Sequence, residues 1–444
     1  MDKSKKIVIL LGAGAAVPWG GKITNELTDD LINECTFKTN SNLNYLSFLQ
    51  ENLAEYYHDK NPSDINFEFI LSSIEWLYEY YSAQEQKNKI LYYLSDWTSL
   101  FLAKDNLEGE FPTITADTRP WVENSLCDYT FANNPNLKIT VENGYPKSSF
   151  YYKLYFETIK NLKESISCYY EKENTTNNSS LTSFFEYFLN EGYVIRIYST
   201  NYDNIPNKCF PKSQPLFNGF NMSSNGSEYF EKRSGEIDVR RIINDDNCNC
   251  FYNLHGSCNF DFHPYDYKVN GKCNEDEVKY REDNDIVYSD DDFNQTNQNG
   301  KPILNPTIIT GQQKIIRTAL EPYSSFMNSF KRDCLDDNCS EIICIGCSFS
   351  DEHLNQIFQV VLGEDKSPKI TIVSKLDSEC ESGTDNHPTN LINSSKFKGI
   401  YPSDKYPGIG LTFDGTWWKN SQLPLKIFGG NFESYLRDKS YLNS

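Results

Sequence analysis

The run Ile7-Val8-Ile9-Leu10-Leu11-Gly12-Ala13-Gly14-Ala15-Ala16 decides the fold of this 444-residue chain. Five apolar residues in a row, with no polar alternation, describe a strand buried on both faces, as parallel sheets require. The glycines directly behind it describe a tight turn at the strand's carboxyl end. Working outward, four further runs of the same kind stand at 193–198, 250–254, 341–346 and 369–373. Helical patterns separate several of them. Over 67–81 the residues Phe67, Ile70, Leu71, Ile74, Leu77, Tyr78 and Tyr81 share one face, with Asn66 placed to cap. Over 150–170 the face is Tyr151, Leu154, Tyr155, Ile159, Leu162 and Ile166.

Strands that alternate with helices predict an α/β fold, a doubly wound Rossmann-like parallel sheet. The interval between the first two strands far exceeds a simple crossover, so a mostly helical insertion should form a second lobe. The expected division is 1–24 and 191–444 for the Rossmann-like domain and 25–190 for the insertion. Residues 174–180 are only Asn, Thr and Ser and read as an exposed loop. The polar stretches 218–249 and 261–301 read as irregular excursions from the sheet edge.

Composition bounds the function. Hydrophobic residues make up 38% and aromatics 14%, a globular balance, and the net charge of −20 opposes direct nucleic-acid binding, which depends on Lys and Arg neutralising phosphates. The first apolar run is too short for a signal-peptide core or a membrane span, so a cytoplasmic location and no membrane partner are expected. Thirteen irregularly spaced cysteines without a secretion signal argue for thiols rather than a disulfide framework. Cys344 and Cys347 form a CxxC inside a buried run and read as core. Cys248, Cys250, Cys258 and Cys273 are a looser cluster without paired knuckles, so no metal is expected, although zinc there stays open.

The strand ends carry the chemistry. Gly12, Ala13, Gly14 and Ala15 would let the backbone approach a pyrophosphate, with the next helix offering free N–H groups; a plain tight turn explains the same residues. A triphosphatase phosphate loop fails, because Ala16 stands where its glycine should be and Ile23 where Ser or Thr should follow Gly21-Lys22. The second strand ends in Ser199-Thr200-Asn201-Tyr202-Asp203, amide and carboxyl groups that could serve a ligand or only shape a turn. The third ends in Leu254-His255-Gly256-Ser257, which puts an imidazole at the same edge. The fourth ends in Gly346-Cys347-Ser348-Phe349-Ser350-Asp351-Glu352-His353 and then a helix; Ser350 reads as its N-cap and His353 as a surface residue. The fifth supplies Ser374 in Val373-Ser374-Lys375-Leu376-Asp377.

The order of these five islands, GAGAA, STNYD, LHGS, IGCSFSDEH and IVSKLD, resembles the SIR2-like (sirtuin-related) family, most closely its bacterial antiphage-defence branch. That resemblance implies NAD+ as substrate, lying across the strand ends and cleaved to nicotinamide and ADP-ribose. By motif, Asn201 and Asp203 match the family's TxNxD element and His255 its catalytic His. Gly12, Ala13 and Gly14 match the phosphate turn, and Gly346 and Ser348 the GxS element near the adenosine side. Thr200 replaces the Gln of the family's TQN triplet, and the Pro-Asp-Phe-Arg run and four-cysteine zinc module of protein deacylases are missing. The resemblance therefore favours an NAD+ hydrolase that depletes NAD+ during infection. A non-catalytic NAD or ADP-ribose-binding regulatory module and an NAD-dependent protein deacylase are the alternatives. Restraint of such an activity implies a homo-oligomer and an activating partner: a HerA-type ATPase, an Argonaute-like protein or a phage component.

Overall fold

The computed structural model describes residues 4–39, 42–57, 60–85, 147–170, 175–222, 234–262, 278–281, 307–310, 314, 318–364, 366–375, 412–413, 417–419 and 424–443. The chain forms two compact units. One comprises Met1–Ile23, Ile166–Asn259 and Thr318–Ser444, and the other Thr24–Ser165 and Phe260–Arg317.

The first unit holds an eight-stranded sheet. Its strands in chain order are β1 (Lys6–Leu11), β2 (Val194–Ser199), β3 (Cys250–Asn253), β4 (Cys339–Ile345), β5 (Lys369–Val373), β6 (Thr412–Phe413), β7 (Trp417–Lys419) and β8 (Leu425–Phe428). Across the sheet they run β6-β7-β8-β5-β4-β1-β2-β3. The six from β8 to β3 are parallel, with Lys6 beside Val194 and Cys339 and Leu11 beside Ser199 and Ile345; β6, β7 and β8 pair antiparallel. This is the α/β, doubly wound Rossmann-like order. It reverses direction at β1, and the carboxyl ends of β1 and β4 are therefore the place where open α/β sheets bind ligands. Every residue of β1 is buried, as its unbroken apolar run requires. The strands β6, β7 and β8 were not legible in the sequence, because two to four residues each are too few for a period to show.

Two helices carry unexpected features. Thr175–Asn190 occupies most of the Asn/Thr/Ser run read as a loop. Those residues are poor helix formers, but tertiary bonds override the propensity. Asn177 Nδ2 donates to Pro18 O at 2.8 Å, Trp19 Nε1 donates to Asn178 Oδ1 at 2.7 Å, and Leu181, Phe184, Phe185 and Phe188 are buried. The polar stretch 218–249 is not irregular throughout: it carries an antiparallel pair, Phe220–Met222 with Ser234–Ile237, and the helix Val239–Asn244, anchored by the fully buried Ile242.

Beneath the amino end of β1 lies a buried ionic cluster. Lys6 Nζ lies 2.6 Å from Asp336 Oδ2 and 3.5 Å from Asp333 Oδ1, while Arg196 Nε donates to Asp333 Oδ2 at 2.6 Å. Tyr198 Oη also donates to Asp333, and Arg196 reaches the Cys248 carbonyl at 2.8 Å. Asp333 comes from the helix Tyr323–Cys334, so one carboxylate joins β1, β2 and a covering helix. Both cations are fully buried and need these partners.

The second unit is mostly helical: Thr24–Glu34, Tyr45–Tyr56, Phe67–Glu85 and most of Lys147–Ser167, with one antiparallel pair, Phe260–Phe262 with Val278–Arg281. Asn66 caps as the sequence suggests, its Oδ1 accepting from the Glu68 and Phe69 amides. The two amphipathic faces meet through aromatics: Tyr81 stacks on Tyr151 with centroids 5.5 Å apart, and the Tyr45 and Tyr151 hydroxyls share a hydrogen bond.

Candidate functional site

Four turns converge at the carboxyl edge of the sheet, following β1, β2, β3 and β4. The first two closest neighbours are the turns after β1 and β4. Gly14 N donates to Gly346 O at 3.1 Å, and Gly12 N to Ile345 O at 2.9 Å. A Cβ on Gly12 would stand 2.6 Å from Gly346 O, and one on Gly14 would stand 2.9 Å from Gly346 Cα. Gly346 itself has φ +62°, and its Cβ would press into the backbone of Gly14 and Ala15. These glycines are therefore required for backbone-on-backbone packing at the switch point, whatever else they bind. The expected helix directly behind them is absent: Ala13–Ala15 and Val17–Trp19 are single 3-10 turns, and the next α-helix begins at Thr24.

The turn after β2 is fastened to the first. Asn201 Nδ2 donates to Gly12 O at 2.8 Å, and Thr200 gives both its amide (2.9 Å) and its hydroxyl (3.2 Å) to Leu11 O. Asp203 is buried, its Oδ1 accepting from Ile205 N at 3.0 Å and its carboxyl also bonded by Asn201. Burial raises the pKa of Asp203; its hydrogen bonds offset only part of that.

The turn after β3 is stapled to the turn after β2 by Asn253, a residue the sequence did not single out. Its Nδ2 donates to Asn201 O at 2.9 Å and Asp203 O at 3.2 Å. Cys258 N and Ser257 Oγ both donate to Tyr202 O. His255, buried within this turn, is thereby carried to the same edge.

Residues 195–387 match the family model of the SIR2-like domain. The chain carries a SIR2-like domain. Such domains bind NAD+. The match opens within β2, so β1 and its glycine turn join the site through the contacts just described. No curated protein matches the chain.

At this edge of the sheet, Asn201 and His255 sit on adjoining turns with different immediate partners. The Asn201 amide holds Gly12 O, whereas the His255 ring faces His353, with centroids 5.7 Å apart and planes at 52°. His353 is half-buried, not the surface residue its helical position suggested, and Asp351 rather than Ser350 is the N-cap of its helix, Glu352–Gly363. The strands that carry the two histidines lie three places apart, roughly 14 Å at the usual spacing. The rings therefore reach toward each other across the places of β1 and β2 in the sheet.

The turn that delivers His353 is itself strained, with Phe349 at φ +53°. Asn355 Nδ2 holds it by donating to Phe349 O at 2.7 Å. Ser348 is exposed, its hydroxyl 2.8 Å from that of Ser350. Ser374 lies farther out, past β5, its amide donating to Phe428 O at 3.2 Å and its side chain buried. Leu376 and Asp377 lie outside the described residues.

An apolar cavity of about 10 Å³, room for about one water, lies below the glycine turn, with Leu11, Ala15, Trp19, Phe184, Asn201 and Asp203 among its walls. Trp19 closes one side, held by Asn178 and packed against Phe432 at 6.0 Å. Among the described residues no three His, Cys, Asp or Glu side chains could hold a metal. Cys273 lies outside them; Cys250 is buried in β3, and Cys258 Sγ faces Asn259 Oδ1. Cys344 and Cys347 are both buried, the latter directed at Leu10 O. No helix among the described residues is long and apolar enough to cross a membrane.

Proposed function

We propose that this chain is an NAD+ hydrolase, releasing nicotinamide and ADP-ribose, and that it serves bacterial antiphage defence by depleting NAD+. What supports the reading is a chain of contacts at the switch point of a Rossmann-ordered sheet, the Asn201 turn bonded to the glycine turn and the His255 turn bonded to the Asn201 turn, together with the match to a SIR2-like domain. NAD+ would lie across Gly12, Ala13, Gly14 and Ala15, with its adenosine side toward Gly346, Ser348 and Ser374 and its nicotinamide ribose toward Thr200, Asn201 and Asp203.

Nicotinamide is a cationic leaving group, so its departure develops an oxocarbenium-like ribose that oriented dipoles stabilise. Asn201 positions the water and the ribose. His255 accepts the proton as the water oxygen bonds to the anomeric carbon, and the electrons of the broken C–N bond neutralise the nicotinamide ring. Asp203, beside the apolar cavity, orients Asn201 and the amide of the leaving group. Because constant NAD+ loss would kill the host, the reading includes an activating partner, acting on a cytoplasmic homo-oligomer.

Purified protein, with its activator, should release nicotinamide from NAD+. Asn201→Ala and His255→Ala should each reduce release by at least about a hundredfold while the circular dichroism spectrum is retained. Undiminished turnover in both variants would refute the site. ADP-ribose-dependent assembly without any turnover would favour a regulatory module, and consumption of NAD+ only with an acetylated peptide would favour a deacylase.

A further inference from the structure

The His255–His353 pair is not used by the chemistry above, which assigns a role to one imidazole only. Its geometry is specific. His255 is buried, so a proton it accepts has no direct exit to solvent, whereas His353 is half-buried, beside it, and in the first turn of a helix. The strained Phe349 turn and the Asn355 bond fix where that helix starts, and therefore where the second ring stands.

We propose that His353 is the positioning and proton-transfer partner of His255, an inference that rests on the NAD+ hydrolase reading. In the balanced step, the water oxygen bonds to the anomeric carbon and the C–N pair leaves on neutral nicotinamide. One proton moves from the water to His255, then to His353 and on to bulk solvent, so each turnover yields one nicotinamide, one ADP-ribose and one proton. Two imidazolium rings with centroids 5.7 Å apart would repel, which favours passing the proton on over holding a second one beside it. The other titratable groups on the segments that meet there are Tyr202, Asp203, Lys208 and Cys209 after β2, Cys258 after β3, and Cys347, Asp351 and Glu352 around His353.

The full chain contains five histidines, few enough for imidazole nitrogen resonances to be followed by NMR against pH. In His353→Gln, which keeps a polar group of similar size, the His255 midpoint should rise by on the order of one pH unit, because a neighbouring positive charge is removed. Turnover of NAD+ should fall about tenfold or more in kcat with little change in KM, and the acidic limb of the pH profile should move with the NMR midpoint. An unmoved midpoint, or a kcat and pH profile equal to wild type, overturns the pairing. Should the glutamine variant fail to fold, wild-type His255 decides alone: a two-step titration supports the pair and a single step overturns it. A wild type that releases no nicotinamide ends the hydrolase reading, and the NMR titration still separates a coupled pair from an uncoupled one.

Discussion

Gly346→Ala tests the contact on which the site is assembled. At φ +62° an alanine pays the left-handed penalty, about 1 kcal/mol. Its Cβ would also stand 2.5 Å from Gly14 C and 2.6 Å from Gly14 Cα, and these are backbone atoms that cannot rotate away. Forced overlap of that kind adds about 1–3 kcal/mol, so the total should be about 2–4 kcal/mol. Two other glycines separate the contributions. Gly20 has φ +79° but nothing within 4 Å of its Cβ, so Gly20→Ala should show the backbone penalty alone. Gly363 has open space and no positive φ, so Gly363→Ala should be neutral or slightly stabilising. Urea denaturation followed by circular dichroism measures all three, and with a slope of about 3 kcal/mol per M Gly346→Ala should lose roughly 1 M in midpoint. NAD+ affinity by calorimetry should fall with it. A Gly346→Ala protein no less stable than Gly20→Ala would show that the two turns do not press on each other, and the argument for a shared site would go with them.

Asp203→Asn should separate stability from activity. A carboxyl whose folded pKa is raised contributes fully below its unfolded pKa and loses that contribution as pH rises through the folded value. Near neutral pH the neutral amide should therefore leave the urea midpoint equal or higher, while nicotinamide release falls; a clear loss of stability at pH 7 would contradict the burial argument. Asp333→Ala leaves Lys6 and Arg196 buried with their shared carboxylate gone, and should cost about 3–5 kcal/mol by denaturation; a loss under about 1 kcal/mol would mean water reaches the cluster. Burial would raise the carboxyl of Asp336, but the bonds from Lys6 and Asn338 hold it down to about 2. Its contribution is present above about pH 4 and lost as pH falls toward 2, so wild type and Asp336→Asn should converge in urea midpoint over that window, and parallel curves would refute it.

The parallel core was legible because its strands are buried on both faces. The runs at 7–11 and 369–373 and their three companions became β1 to β5 within a residue or two. Asn201, Asp203 and His255 were legible as polar groups closing such runs. What tertiary contact decides was not legible. The Asn-rich start of Thr175–Asn190 is helical through bonds to Pro18 and Trp19, more than 150 residues away. Asn253 reads as an ordinary strand residue until its amide is seen joining two turns. His353 reads as solvent-facing because no sequence period reports that its ring stands beside that of His255. The sulfur pair Cys344 and Cys347 was read as core from its apolar setting alone, and both are buried.

The central strand of the sheet is made well before either of its neighbours. β1 pairs with strands that begin at Val194 and Cys339. At about 5–20 residues per second of translation, its two edges wait on the order of ten seconds for the first neighbour and up to about a minute for the second. During that interval Lys6–Leu11 is an apolar strand with both hydrogen-bonding edges open, the form most prone to pair with another nascent chain. Synthesis therefore leaves β1 unpaired across the whole of the helical segment that follows it, and places a demand for chaperone capture on that strand.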